Sequence, residues 1–414
     1  MQPTTTEPRP ALQLTASLTN SQLAVVTLGK LSLNTAYRII YPLLPFLALH
    51  LSVDQRTVSA LVTALVLATV VSPLGGTLAD THGERTIMTS GLALFCAGVT
   101  LCALWTTFAG FLAGYVLIGL SGALYQPAAQ AYLSARTSYG RRGWALGIFE
   151  VSWAAAALLG VAPLMQLVQA TGDSAPVFWI LLATGAASLA LIRFGLPAAS
   201  HSGGHAHQRV DWRAVRTHGV AGMFALLLLT ACAVDLILVV QGVWVKRSFG
   251  ANEGQLGQIF GMLGIAELIG SLGSTLLVDR VGKKRAVVAG LTLTGLSMAA
   301  LPLSEGRWLL FLPLFFLFDL CFEFSIVSAF PLASGVAPTA RGTVMALSVL
   351  TFGIGRAIGS QIAEPIWSSY GIVANGLLGA GLALTGVLIC WALVRETEAE
   401  GTGNRGQETG SLLL

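Results

Sequence analysis

The sequence predicts an all-α membrane protein with twelve transmembrane helices arranged as two pseudo-symmetric six-helix bundles. Three observations carry this. Of 414 residues, 54% are hydrophobic and only 10% are charged, whereas a soluble domain carries roughly 25% charged residues. The surface of most of the chain is therefore solvated by lipid. Apolar runs of about 20 residues, the length that crosses a hydrocarbon core of roughly 30 Å, recur throughout. The two halves also repeat, because Asp80 and Asp279, Gly83 and Gly282, and Arg142-Gly143 and Arg341-Gly342 are each separated by 199 positions.

Residues 1–19 form a polar, Pro/Thr-rich tail without the charged start and cleavage site of a secretory signal, so the first apolar run is expected to be retained. Spans are expected at 20–50, 57–79, 86–106, 108–135, 143–170 and 176–195. A polar linker, 196–217, separates them from spans at 218–248, 254–278, 285–303, 307–335, 342–368 and 372–394. This makes 20–195 and 218–394 the two bundles, with a disordered polar tail expected over 395–414. A backbone in lipid must satisfy its own hydrogen bonds, which selects helices. The ten-residue alternation of a transmembrane β-barrel is missing. The 47 glycines suit close helix packing in a bilayer.

Charge sets the orientation. With cytoplasmic termini, sixteen Lys and Arg residues fall on the cytoplasmic side, four outside (Arg56, Lys246, Arg247, Arg307) and three within spans. This bias matches the positive-inside rule and predicts cytoplasmic termini and a cytoplasmic linker. The net charge of +4 is scattered over short loops, which argues against nucleic-acid binding. Cys96, Cys102, Cys232, Cys321 and Cys390 lie in apolar runs without metal-ligand spacing, so neither a disulfide framework nor a metal site is expected. His201, His205 and His207 sit in the linker and read as a solvated segment. No phosphate-binding loop supports ATP-driven transport, and no nucleophile–base pattern supports an enzyme; no cofactor is expected.

The repeated loops carry a motif. The first copy has Gly76, Asp80, Gly83 and Arg85, with Glu84 before the arginine; the second has Asp279, Gly282, Lys283 and Lys284, with Thr275 at the first glycine position. This pattern resembles the signature of the major facilitator superfamily, G-x-x-x-D-x-x-G-R/K-R/K, in the loop after the second helix. The resemblance covers roughly 20–394 and is to bacterial drug-efflux-like, drug:proton antiporter members. It implies an inner-membrane secondary transporter that works as a monomer by alternating access, with both motif copies as gate residues. It also implies a substrate cavity lined by the first, fourth, seventh and tenth helices. The chain departs from proton-coupled exporters of the family in two places. The fourth helix, Tyr115 to Gly122, has no Arg, and the fifth holds only Gly160-Val-Ala-Pro163 of a Gly-Pro motif.

Ionisable groups at membrane depth are costly, at about 2.5–3.5 kcal/mol each, so those present are the best functional clues. They are Lys30, Arg38, Glu150, Asp235, Glu267, Asp319, Glu323, Arg356 and Glu364. Asp319 and Glu323 share a helix face at i and i+4, and two neighbouring carboxylates suit proton binding and release. They are the first proton-coupling candidates, followed by Glu150 and Glu267. Asp235 and Arg356 fall at similar depth and are expected to form an ion pair. Arg38 is expected either to neutralise Glu150 or to attract an anionic substrate group. With Asn34, Tyr125, Gln126 and Gln241, the residues Arg38, Asp235 and Arg356 form the candidate substrate cavity. The expected cargo is a small amphipathic or hydrophobic compound exported against protons. Competing expectations are a facilitator or importer of an anionic metabolite, a membrane-embedded enzyme, or a non-transporting sensor.

Overall fold

A computed structural model of the protein describes residues 18–137, 139–197, 217–337 and 341–394. The two tails, the linker and its histidines lie outside the described residues. Among those described, the secondary structure is helical, without a strand. In chain order the helices are α1 (Asn20–His50), α2 (Gln55–His82), α3 (Glu84–Leu104), α4 (Phe108–Arg136), α5 (Tyr139–Thr171) and α6 (Ala175–Gly195). After the linker come α7 (His218–Phe249), α8 (Glu253–Val281), α9 (Lys283–Ser304) and α10 (Trp308–Val336). A continuous helical stretch, Arg341–Leu393, is broken at Gly371 (φ 73, ψ −177) into α11 (341–370) and α12 (372–393). The sequence anticipated a short non-helical connection there; a single left-handed glycine makes the turn.

Ten helices among the described residues are long and apolar enough to cross a membrane, with Thr343–Leu393 counted once. That stretch, at about 1.5 Å per residue, is more than twice as long as a hydrocarbon core is thick. The 31-residue α1 is not among the ten; it carries Lys30 and Arg38. The surface is that of a protein in lipid. Leu309 is 92% exposed and Phe194 83%, and such a run of bare leucines and aromatics would be an aggregation hazard in water.

Local sequence explains the ends and breaks. Thr107 and Thr217 cap α4 and α7 by accepting from Gly110 N and Val220 N. Asn252 and Gln255 form a reciprocal capping box at α8. Gly83 (φ 86) and Gly282 (φ 94) are the one-residue joints of α2 to α3 and α8 to α9. A side chain is strained at that φ, which accounts for the glycine in both motif copies. α2 contains a 3₁₀ turn at Thr69–Val71, and α5 a π-helical turn at Ala156–Val161 just before Pro163. α7 is interrupted at Val239–Val240. The Leu236 carbonyl beside that break accepts from Asn375 Nδ2 at 2.8 Å, so α12 supplies a partner beside the broken ladder.

Contacts divide the chain into two compact units. The boundaries fall at Ile40/Tyr41, at Leu67/Ala68 and within the linker, so 41–67 groups with the residues after the linker. In the first unit, Gly91 of α3 packs on α4, where an added Cβ would lie 2.9 Å from the Ser121 carbonyl. In the second unit, Gly290 of α9 packs on α10, with an added Cβ 2.7 Å from Ser325 Cβ. These glycines are again 199 positions apart. The repeat therefore extends from loop motif to helix contact.

Candidate transport site

The motif loops are repeated in both units. Arg85 donates through Nη2 to the Arg193 carbonyl at the end of α6. Lys284 donates through Nζ to the Trp391 carbonyl at the end of α12, at 2.9 Å. In each unit a motif cation thus caps the C-terminus of the last helix, where unpaired carbonyls and the dipole favour positive charge. Asp80 is exposed, Glu84 Oε2 lies 3.8 Å from Arg136 Nη1, and the side chain of Asp279 lies outside the described residues. Gly76 has only an ordinary contact at 4.0 Å; the close approach to α4 is made by Gly75, against the Ala123 carbonyl. In the second unit, Ser274 stands 199 positions on and hydrogen-bonds Ser328 of α10 at 2.8 Å.

In the first unit, Lys30, Asn34 and Arg38 lie four residues apart on one face of α1 and meet α5. Lys30 Nζ is 2.5 Å from Glu150 Oε2 and sits over the Phe149 ring at 4.1 Å. Gln130 Nε2 donates to the other Glu150 oxygen at 3.2 Å. Asn34 Nδ2 donates to Ser152 Oγ at 3.1 Å, and the Arg38 guanidinium lies 4.7 Å from the Trp153 ring centre. One of the two expectations for Arg38 was an ion pair to Glu150; the structure makes that pair from Lys30. The crossing of α1 and α5 brings position 30 level with Glu150 and sets Arg38 against the indole. Glu150 is half exposed, whereas Lys30 is buried.

Two cavity candidates from this unit are neighbours on α4 with different surroundings. Tyr125 is fully buried, and its hydroxyl donates to the Val26 carbonyl of α1 at 2.7 Å. Gln126 points the other way and is exposed. Tyr37 donates to the Ile118 and Gly119 carbonyls of α4, both at 3.0 Å.

In the second unit, Arg356 holds Asp235. Its Nε lies 3.2 and 3.3 Å from the two carboxylate oxygens, and Nη2 lies 3.1 Å from Oδ1. Nη2 also donates to the hydroxyl of Tyr41, whose residue belongs to this unit. Glycines make the approach possible. An added Cβ on Gly359 would sit 2.6 Å from the Cys232 carbonyl and 3.0 Å from Asp235 Cβ. Gly355, one turn earlier, meets the Leu228 carbonyl. The Gly-Arg-x-x-Gly spacing thus presses α11 onto α7 with the guanidinium against the carboxylate. Asp235 is fully buried, which a charge tolerates only when paired.

The remaining acids gather on α8 and α10. An added Cβ on Gly270 would sit 3.1 Å from Glu323 Cβ, and Ser274 and Ser328 are bonded at an offset of 54. The helices therefore run in parallel register. The same offset carries Glu267 to position 321, between Asp319 and Glu323, so three carboxylates share one level near the middle of two helices. Glu267 lies within electrostatic reach of Arg356. Asp319 and Glu267 are both buried. Gln241, at the α7 break, is also buried, and the backbone of neighbouring Gly242 packs on Tyr41 and Pro45.

Sequence reasoning missed Tyr41 as a partner of Arg356, Lys30 as the partner of Glu150, and Gly75. The signal for Gly75 was the double glycine, which left the packing position open. Among the described residues no group of three His, Cys, Asp or Glu side chains is placed to hold a metal ion.

A helical membrane protein built from a repeat, with charges paired at mid-helix and basic caps on its motif loops, has the architecture of a secondary transporter. The profile of the Major Facilitator Superfamily matches residues 26–240 and 223–414, and the chain belongs to that family. It is 23% identical over 371 residues to the uncharacterized MFS-type transporter YwfA of Bacillus subtilis (strain 168), covering 88% of this chain and 90% of that one. It is 23% identical over 393 residues to multidrug resistance protein MdtG of Citrobacter koseri, covering 90% and 95%. Among solved structures, a D-xylose-proton symporter superposes with a TM-score of 0.76 at 16% identity, covering 91% of this chain and 98% of that one. The nucleoside transporter NupG gives 0.76 at 15% identity, covering 91% and 100%. These likenesses establish the fold.

Proposed function

We propose that this transporter exports small amphipathic or hydrophobic compounds across a bacterial inner membrane in exchange for protons. The observation that carries the proposal is the shared level of Glu267, Asp319 and Glu323 on α8 and α10. Carboxylates at one level of two packed helices, in a poorly solvated site, favour holding a proton over all carrying charge, and a group that binds and releases a proton is what coupling needs. Arg356, which holds Asp235, lies within electrostatic reach of Glu267. Release of a proton near it would shift the balance between the Asp235 pair and Glu267. The similarity to MdtG supports an efflux cargo. The 199-residue repeat supports two six-helix bundles, 20–195 and 218–394, that move about a central site; the Lys/Arg bias supports cytoplasmic termini, and the family resemblance supports a monomer.

The test is a pH-sensitive dye trapped in proteoliposomes, challenged with a panel of lipophilic cations and neutral amphiphiles. Compound-evoked proton movement against the direction of compound flux supports antiport. Compound flux that ignores the pH gradient supports a second reading, a facilitator or importer of an anionic metabolite.

A further inference from the structure

A cavity of about 470 Å³ in the first unit lies outside the charged site. It is walled by α1, α5 and α6, on a different face of α1 from Lys30, Asn34 and Arg38. Leu28, Leu31 and Thr35 line it from α1, three to seven residues apart and so on one stripe. From α5 the wall is the π-helical turn itself, through Leu159 and Gly160, followed by Pro163. π-turns inside α-helices concentrate at functional positions. Here the turn sets Gly160 directly against Thr35, with no room for a Cβ between them. α6 closes the third side.

The lining offers no charge. Of its four hydroxyls, those of Ser32, Thr35 and Thr184 donate back to their own helices, at the Leu28, Leu31 and Leu181 carbonyls, and the fourth, Ser188, is buried. The cavity is therefore suited to an apolar occupant. Its mouth opens on the lipid side, because Leu159 is 66% exposed and Leu28, Ile180 and Leu191 are each more than two-fifths exposed. Leu159, Ile180 and Leu191 belong to helices whose composition places them in the bilayer. The volume is in the range that small-molecule pockets use, and the surrounding solvent is hydrocarbon.

We propose that this pocket seats one acyl chain of a bilayer lipid, held beside the π-turn of α5. The lipid is a resident ligand of the first unit, distinct from the cargo. The occupant is in vast excess over any cargo in the surrounding bilayer, so by mass action it holds the site.

The test uses the full chain in liposomes containing a small fraction of phosphatidylglycerol with a diazirine in its acyl chain. After illumination, labelled peptides are quantified. Expected is labelling concentrated on 159–167 and 180–191 that saturates near one lipid per protein. Ala187→Trp, which places an indole in the cavity from an exposed position, should cut that labelling at least five-fold. Leu388→Trp, on the lipid-facing surface of α12, should leave it unchanged. Labelling spread evenly over all exposed helix faces, or labelling of these peptides that Ala187→Trp leaves intact, overturns the proposal.

Discussion

Arg356 reaches both carboxylate oxygens of Asp235 with its Nε, at 3.2 and 3.3 Å, while its Nη2 also serves the Tyr41 hydroxyl. The arginine joins the mid-helix charge of α7 to the first helix of the chain. Removing one partner of a buried pair leaves an uncompensated charge, at about 3–5 kcal/mol, whereas removing both costs much less. Asp235→Asn should therefore lower thermal stability in detergent more than the double change with Arg356→Gln. A thermal-shift comparison of the four proteins of the cycle reads this directly, and equal losses in single and double variants would contradict it.

Glycine packing gives a second prediction. Gly359→Ala puts a methyl 2.6 Å from the Cys232 backbone carbonyl, which cannot move aside without shifting α7. The expected cost is about 1–3 kcal/mol. Gly353→Ala in the same helix meets nothing within 4 Å. Losing a helix-interior glycine there should be neutral or slightly stabilising, by up to about 1 kcal/mol. Melting curves of the pair separate packing from propensity.

The pair in the first unit is asymmetric. Lys30 is buried and Glu150 is half exposed. Glu150→Gln leaves a buried ammonium with the Phe149 ring, whereas Lys30→Met leaves a half-exposed carboxylate that keeps the Gln130 amide. Glu150→Gln should be the more destabilising of the two in the same thermal assay. The reverse order would show that Glu150 depends on Lys30 rather than the other way round.

The motif cations should act on helix ends far from them in sequence. Arg85→Ala should raise amide exchange in the last turn of α6, and Lys284→Ala in the last turn of α12. Each contact at a helix terminus is worth about 0.3–1 kcal/mol, so exchange should rise a few-fold in those turns and nowhere else. Hydrogen exchange by mass spectrometry resolves both.

Much of this architecture was legible in the sequence because a bilayer imposes simple rules. Apolar length gave the helices to within a few residues, and the motif spacing gave the repeat and the need for Gly83 and Gly282. The Asp235–Arg356 pair followed from two opposite charges at similar depth in helices expected to be neighbours. What failed was anything set by the crossing of two helices. Lys30, Asn34 and Arg38 share a face of α1, and sequence could not say which of them α5 would meet at Glu150. Tyr125 and Gln126 are adjacent, yet one is fully buried and the other exposed, because they lie about 100° apart around α4 and only the packing says which side faces α1. The level shared by Glu267 and the Asp319–Glu323 pair appears only once Ser274 and Ser328 fix the register of α8 against α10. The grouping of 41–67 with the second unit cuts through a continuous helix and has no local signal.

The central claim is that the carboxylates on α8 and α10 carry the coupled proton. The most direct measurement is compound-evoked proton flux in proteoliposomes for wild type, Glu267→Gln, Asp319→Asn and Glu323→Gln, with radiolabelled compound exchange measured in parallel. The account predicts that at least one variant loses evoked proton flux ten-fold or more while still exchanging compound across the membrane. Full proton flux in all three variants would contradict it and move the coupling site elsewhere, with Glu150 the first alternative.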